Sequence, residues 1–182
     1  MENLTDEELM EFIIGGNLDM MRYLFLRYHI KIYNFCLQMT RDKDLSKDIT
    51  QEVFYKALRH RETYRQNKFS SWIYAIARNL CKDYYKILNK TQRLNEKDLK
   101  DIYKINETKS EPLGNIRQLN FALNQLSNSD RELIVMGKYQ GLKYYEIAEI
   151  TDSTLGAVKT KMHRAMQKLK DAYFLKTKHY EL

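Results

Sequence analysis

The chain has 182 residues, 43% of them hydrophobic, which is enough for one mid-sized domain or two small ones around a packed core. Its 31 Lys and Arg against 24 Asp and Glu give a net charge of +7, which favours a polyanionic partner. Cys36 and Cys81 lie far apart with no Cys or His at ligand spacing, which argues against a disulfide framework or zinc site, and no apolar run reaches the ~18 residues of a membrane span. The acid-rich start MENLTDEELMEF lacks the basic end and apolar centre of a secretory signal, so a cytoplasmic protein with no cofactor and no bound metal is expected.

One Pro, six Gly and apolar residues recurring at three and four spacings predict an all-α fold. The first helix follows Thr5, with Glu8 three residues on as a capping box. A long amphipathic helix spans Met20 to Met39 and lines one face with Leu24, Tyr28, Ile32 and Phe35. The third follows Asp44 or Ser46 and runs to about Arg59, turning Ile49, Val53, Ala57 and Leu58 inward. The fourth starts near Ser70 or Ser71, turns Ile73, Ile76, Ala77, Leu80, Tyr84 and Ile87 inward, and continues to about Leu88.

Beyond Asn89 the text mixes both charge signs, holds the only Pro and loses its periodicity, as a polar linker does. Two small helical domains result, residues 1–90 and 116–182, joined by a linker over 91–115. In the second, Ile116 to Leu126 makes one helix and Ser129 with Glu132 opens another, which Gly141 ends near Tyr139 as a left-handed cap. A short helix from Leu142 to Ile150 follows, and then, after a tight turn, one capped by Thr154.

Those last two helices follow helix-turn-helix grammar. Val158, Met162, Ala165 and Leu169 cluster on one side of the final helix and leave Gly156, Thr160, His163, Arg164 and Gln167 opposite, flanked by Lys159 and Lys161. From Thr154 to Lys170 there are five Lys and Arg and no acid, so this face suits a DNA major groove better than plain solvent.

Two further surfaces stand out. The stretch YRQNKFSSWIYAIARNLCKDYYK interleaves aromatic rings with cations, a composition that stacks on unpaired bases while the cations follow the strand. Arg78, Asn79 and Lys82 turn outward there, and Asn79 can read a base edge, whereas several of the rings belong to the core. In the third helix, Asp48, Gln51, Glu52 and Tyr55 share the outer face at i, i+3, i+4 and i+7. That patch is acidic and fits another protein's basic helix, or solvent, but not DNA. Charge divides accordingly: residues 1–52 carry 6 basic and 10 acidic side chains, and residues 53–94 carry 10 and 2.

The segments DKDLSKDITQEVF, FSSWIYAIARNLCKDYYK and LSNSDRELIVMGKYQGLKYYEIAEITDSTLGAVKTKMHRAMQKL, in that order, resemble a bacterial RNA polymerase sigma factor of the extracytoplasmic-function class. The likeness spans roughly residues 20–90 and 117–172. It implies that Asp48, Gln51 and Glu52, with Tyr55 beside them, grip the clamp coiled coil of the polymerase β′ subunit. It implies that the loop of Arg65, Asn67, Lys68 and Phe69, with Arg78, Asn79 and Lys82, captures a base flipped from the minus-ten element, and that Thr154, Lys159, Thr160, Lys161, His163 and Arg164 meet the minus-thirty-five duplex. The implied partners are core RNA polymerase, through its β′ clamp and β flap, promoter DNA and an anti-sigma protein. No bond chemistry is expected of the chain itself. One departure is Ser127, where the family usually has Pro after the preceding Leu, which removes a preset helix start.

A stand-alone helix-turn-helix regulator explains only the C-terminal half and leaves the aromatic-basic stretch and the acidic patch without a role. An enzyme acting on nucleic acid needs converging carboxylates or histidines, yet the four His are scattered at 29, 60, 163 and 179.

Overall fold

The computed structural model describes residues 4–65, 68–94 and 114–175. Among the described residues every regular element is helical, and the chain divides into two compact units, Met1–Ile105 and Asn106–Leu182.

In the first unit, α1 (Asp6–Ile14) opens with the expected capping box. The Glu8 amide donates to Thr5 Oγ1 at 3.2 Å and the Thr5 amide to Glu8 Oε2 at 2.7 Å, so two amides that a helix start leaves unpaired find partners. The Thr5 amide first, and then the Thr5 hydroxyl donating to the same oxygen at 3.0 Å, hold the Glu8 carboxyl below its ordinary range. α1 inserts Leu9, Met10 and Ile13 into the core and is tied to α2 (Met21–Thr40) through Asp6, which accepts from Arg27 Nη1 at 2.6 Å and from the Tyr28 hydroxyl. The stripe expected on α2 is buried: Leu24, Tyr28, Ile32 and Phe35, joined by Cys36 and Met39. Each such side chain contributes roughly 1.5–3 kcal/mol when fully withdrawn from water.

α3 (Lys43–Arg59) begins earlier than the sequence reading placed it. Asp42 is the cap, its carboxylate accepting from the Asp44 and Leu45 amides at 2.9 and 3.0 Å. Ser46 is instead buried, its hydroxyl donating to the Asp42 carbonyl. Ile49, Val53 and Ala57 are buried as expected, Leu58 is half-buried, and Phe54 is buried with its ring edge against Phe25 at 4.8 Å.

α4 (Phe69–Leu94) starts a residue early and runs six residues past the expected end at Leu88. Its buried stripe is Phe69, Ile73, Tyr74, Ala77 and Cys81, rotated from the expected one. Ile76, Leu80 and Tyr84 are half-buried and Ile87 is 65% exposed. Apolar residues surround too much of this helix for periodicity to choose a side. The choice is made by aromatic partners on α2: Tyr74 stands edge-on to Phe35 at 5.6 Å and Phe69 to Tyr28 at 5.1 Å.

In the second unit, α5 (Gly114–Gln125) ends under Arg131, a residue only 3% exposed whose guanidinium donates to the carbonyls of Leu123, Asn124 and Leu126. α6 (Asn128–Ile134) is capped by Ser127, which accepts from the Asp130 amide at 3.2 Å. Ser129 therefore does not cap, and Glu132 is buried instead of completing a box. α6 continues into a π turn over Val135–Tyr139, where a Cβ on Gly137 would sit 2.7 Å from the terminal methyl of Met162. Gly141, at φ +70°, reverses the chain as expected. α7 (Tyr144–Thr151) opens two residues later than Leu142, once the Glu146 carboxylate accepts from the Lys143 amide at 2.7 Å. Asp152, left-handed at φ 50°, makes the turn, and Thr154 caps α8 (Leu155–Leu175) by accepting from the Ala157 amide at 3.2 Å.

Candidate nucleic-acid interface

Three surfaces carry the expected functional residues. The first is the front of α8. Its inner stripe of Val158, Met162, Ala165 and Leu169 is buried against α5, α6 and α7, and buried Ala148 keeps the α7 side of the contact small. The opposite side is therefore presented to solvent: Thr154, Gly156, Lys159, Thr160, Lys161, His163, Arg164 and Gln167 are all exposed. Thr160 Oγ1 donates back to the Gly156 carbonyl at 3.1 Å, and a Cβ on Gly156 would meet nothing within 4 Å, so the helix start lies open. Unpaired first-turn amides and the positive end of the helix dipole add to the cations there. The rear of the helix is fixed by Lys168, whose Nζ lies 2.6 Å from Asp130 Oδ2. Burial pushes the Asp130 carboxyl up, but hydrogen bonds from Lys168 and Ser127 outweigh that and hold it below the usual aspartate range.

The second surface lies on α4 and the loop before it. Arg65, Lys68, Asn79 and Lys82 are exposed, and Arg78 is half-buried and partnered. Asn67 falls outside the described residues. Phe69 is 0% exposed, enclosed by the rings of Tyr28, Tyr64 and Trp72, so it belongs to the core at the start of α4 and does not face a strand. Tyr64 and Tyr74 are likewise core, and Tyr85 sends its hydroxyl to the Met39 carbonyl. Of the interleaved rings this leaves half-buried Trp72 and Tyr84 as faces that a base can reach.

Beside Trp72 is an open pocket of about 250 Å³, lined among others by Lys56, His60, Thr63, Asn79 and Asp83. A flat aromatic wall, an amide and a carboxylate one helical turn apart, and Lys56 with His60 beside them make a recess that can stack and hydrogen-bond a planar heterocycle. Asn79 was singled out from the sequence; Lys56, His60, Thr63 and Asp83 were not. They come from three separate elements, and only the i, i+4 relation of Asp83 to Asn79 is visible in the text.

The third surface is the outer face of α3, where Asp48, Gln51 and Tyr55 are exposed and Glu52 is half-buried, 3.9 Å from Lys56 Nζ. The four share one side of the helix, as their spacing requires. Among the described residues no group of His, Cys, Asp and Glu is arranged to hold a metal, and no helix is long and apolar enough to cross a membrane.

Family models match both units: sigma-70 region 2 over residues 24–91 and sigma-70 region 4 over residues 116–169, together about two thirds of the chain. The chain is 28% identical to the ECF RNA polymerase sigma factor BldN of Streptomyces coelicolor, over 89% of its own length but only 63% of that protein's. It is 26% identical to ECF sigma factor SigM of Bacillus subtilis, covering 82% of this chain and 93% of that one. With the ECF sigma-E factor of Escherichia coli K12 it shares 29% identity over 91% of this chain and 93% of the relative. Two solved structures share the fold. One is the sigma factor RpoE with the anti-sigma factor NepR from Bartonella quintana, with a TM-score of 0.66, 22% identity and 83% and 94% of the two chains covered. The other is CnrH with the cytosolic domain of CnrY, with a TM-score of 0.71, 20% identity and 91% and 95% covered. Helix-turn-helix, aromatic-basic helix and two matched regions in the same order place the chain in the sigma-70 family of RNA polymerase sigma factors, within the extracytoplasmic-function class.

Proposed function

We propose that this chain binds core RNA polymerase and directs it to promoters, reading an upstream duplex element with α8 and holding a melted downstream strand on α4. The observation that carries this reading is the pairing, in one chain, of an outward basic helix-turn-helix face with an aromatic-walled pocket set in a net basic stretch. Duplex and single strand need different chemistry, groove-fitting helix in one case and ring stacking in the other, and initiation presents both at once. The working division is 1–90 for polymerase binding and the minus-ten element, 91–115 as linker, and 116–182 for the minus-thirty-five element.

Asp48, Gln51, Glu52 and Tyr55 form the contact with the β′ clamp coiled coil, and the second unit meets the β flap. Arg65, Asn67, Lys68, Arg78, Asn79 and Lys82 attend the minus-ten strand, with Phe69 acting only as their support. Thr154, Lys159, Thr160, Lys161, His163 and Arg164 attend the upstream duplex. The chain does no bond chemistry: it works in the cytoplasm, where the polymerase supplies catalysis. Unstacking a base costs a few kcal/mol, which one pocket and several cations offset once the polymerase fixes both DNA sites at a set separation. An anti-sigma protein is the proposed restraint, supported by the two solved relatives, each of which is bound to such a partner or to a partner's cytosolic domain.

The test is a pull-down of core polymerase by the wild-type chain and by Glu52→Lys, followed by run-off transcription on a genomic fragment library. Retention and new start sites are expected with wild type, and both are expected to fall at least tenfold with the charge reversal, the scale of losing a charge-assisted contact and gaining a repulsion. Start sites that persist unchanged in Glu52→Lys would remove the α3 face from the scheme.

A further inference from the structure

α1 carries four acids, Asp6, Glu7, Glu8 and Glu11, in a protein whose net charge is positive. Two of them point inward to other elements. Asp6 fastens α1 to α2 through Arg27 and Tyr28, and Arg27 Nη2 reaches on to the Leu4 carbonyl at 2.8 Å. Glu7 reaches α4: its Oε1 accepts from the Phe69 amide at 3.3 Å, across 62 residues of sequence.

The first amides of any helix lack partners within it, and a side-chain oxygen just ahead of the helix usually supplies one. Before Phe69 stands Lys68, whose side chain has no acceptor. Among the described residues, the first amide of α4 thus finds a partner on another helix, and it is a carboxylate, the charge that the positive end of a helix favours.

Phe69 directly follows Lys68, and Tyr64 directly precedes Arg65, two of the cations proposed for the strand. Tyr64 is buried, its ring 6.4 Å from Phe69 and 5.3 Å from Trp72, and its hydroxyl lies in the field of Glu7, Asp6 and Glu11. Burial first and those carboxylates next push that hydroxyl up to about 12. The Phe69 amide and the Tyr64 hydroxyl thus both feel acids of α1, and Trp72, the aromatic wall of the pocket, is wedged against the same two rings. A shift of the α4 start would move Lys68 and Trp72 together.

We propose that Glu7 is a positioning residue for strand capture: its carboxylate holds the start of α4, and through it Lys68 and the Trp72 wall, in the geometry that receives an unpaired base. This rests on the reading above that the α4 pocket takes such a base. Glu7 touches no DNA; it acts through Phe69.

The experiment uses holoenzyme assembled from the full chain and core polymerase, with non-template oligonucleotides taken from a promoter found by run-off. An abasic scan of the oligonucleotide first finds the position at which wild-type binding falls most. Glu7→Ala is expected to weaken binding of the intact strand by roughly fivefold, the worth of one such hydrogen bond, and to leave binding of the strand abasic at that position unchanged. Glu7→Gln keeps an acceptor and is expected to retain most wild-type binding. Glu7→Asp keeps the charge but withdraws the oxygen, and is expected to show the same base-dependent loss in smaller measure, about twofold. It also serves should Glu7→Ala fail to fold. Equal weakening of intact and abasic strands in Glu7→Ala and Glu7→Asp, or no change in either, overturns the proposal and reduces Glu7 to a general stabiliser. A wild-type holoenzyme with no abasic-sensitive position overturns the pocket reading itself and this inference with it.

Discussion

Asp130 sits where α6 begins and α8 is steadied, and its environment sets a pH dependence. Burial raises its carboxyl, while the hydrogen bonds from Lys168 and Ser127 lower it further than burial lifts it. A carboxyl with a folded-state pKa below its ordinary value stabilises the fold above that ordinary value and loses the contribution as pH falls through the folded one. Acid unfolding of the second unit is therefore expected to begin below about pH 4, and Lys168→Met is expected to flatten that limb in circular dichroism scans from about pH 5 to about pH 2. With Lys168 side chain 60% exposed, the effect at neutral pH is about 0.5 kcal/mol and no more than about 1. Single residues were the hardest thing to read from the sequence. Asn79 and Lys82 were placed outward by the helical wheel, but Phe69 and Tyr85 were grouped with strand-facing rings although one is enclosed and the other is bonded to a backbone carbonyl. What decides a ring's side is its partner on another helix, Tyr28 for Phe69 and Met39 for Tyr85, and local spacing carries no trace of it. Glu7 was invisible for the same reason, since its partner is the Phe69 amide.

Helices as units were far more legible, because existence and type follow from periodicity summed over many residues. The starts of α3 and α6 were each displaced toward a polar residue two or more positions too late, Asp44 for Asp42 and Ser129 for Ser127. Neighbouring residues with the same capping chemistry cannot be ranked until the backbone shows which one is extended, as Asp42 is at φ −122°. The turn between α7 and α8 was placed correctly, and its geometry permits a sharp test. Asp152 stands at φ 50°, a conformation that short polar side chains and glycine tolerate and β-branched ones do not. Asp152→Gly is expected to leave stability within about 0.5 kcal/mol of wild type, whereas Asp152→Val is expected to lower it by about 1–2 kcal/mol in chemical denaturation followed by circular dichroism. If valine were as well tolerated as glycine, the left-handed turn would not be what aims α8.

At the scale of the whole molecule the text is informative in a third way, through where charge lies. Residues 1–52 are net acidic and residues 53–94 net basic; Asp48, Gln51 and Glu52 of the surface proposed for the polymerase fall in the first, and the residues proposed for the melted strand fall in the second. The segment 95–113 lies between two units for which separate DNA tasks are proposed, and on that proposal its length sets the effective concentration of one at its site when the other is bound. A tether's benefit falls slowly with length. Inserting about 20 Gly and Ser residues, which roughly doubles it, is expected to weaken holoenzyme binding to a two-element promoter about threefold. A loss of a hundredfold would mean that the native segment makes contacts of its own. The two units also differ optically. Trp72 is the chain's only tryptophan and belongs to the first unit, while helical dichroism arises from both. Excited at the red edge, the unlabelled protein emits from one half and is dark in the other, so any gap between its emission and its ellipticity is a direct record of the halves parting company.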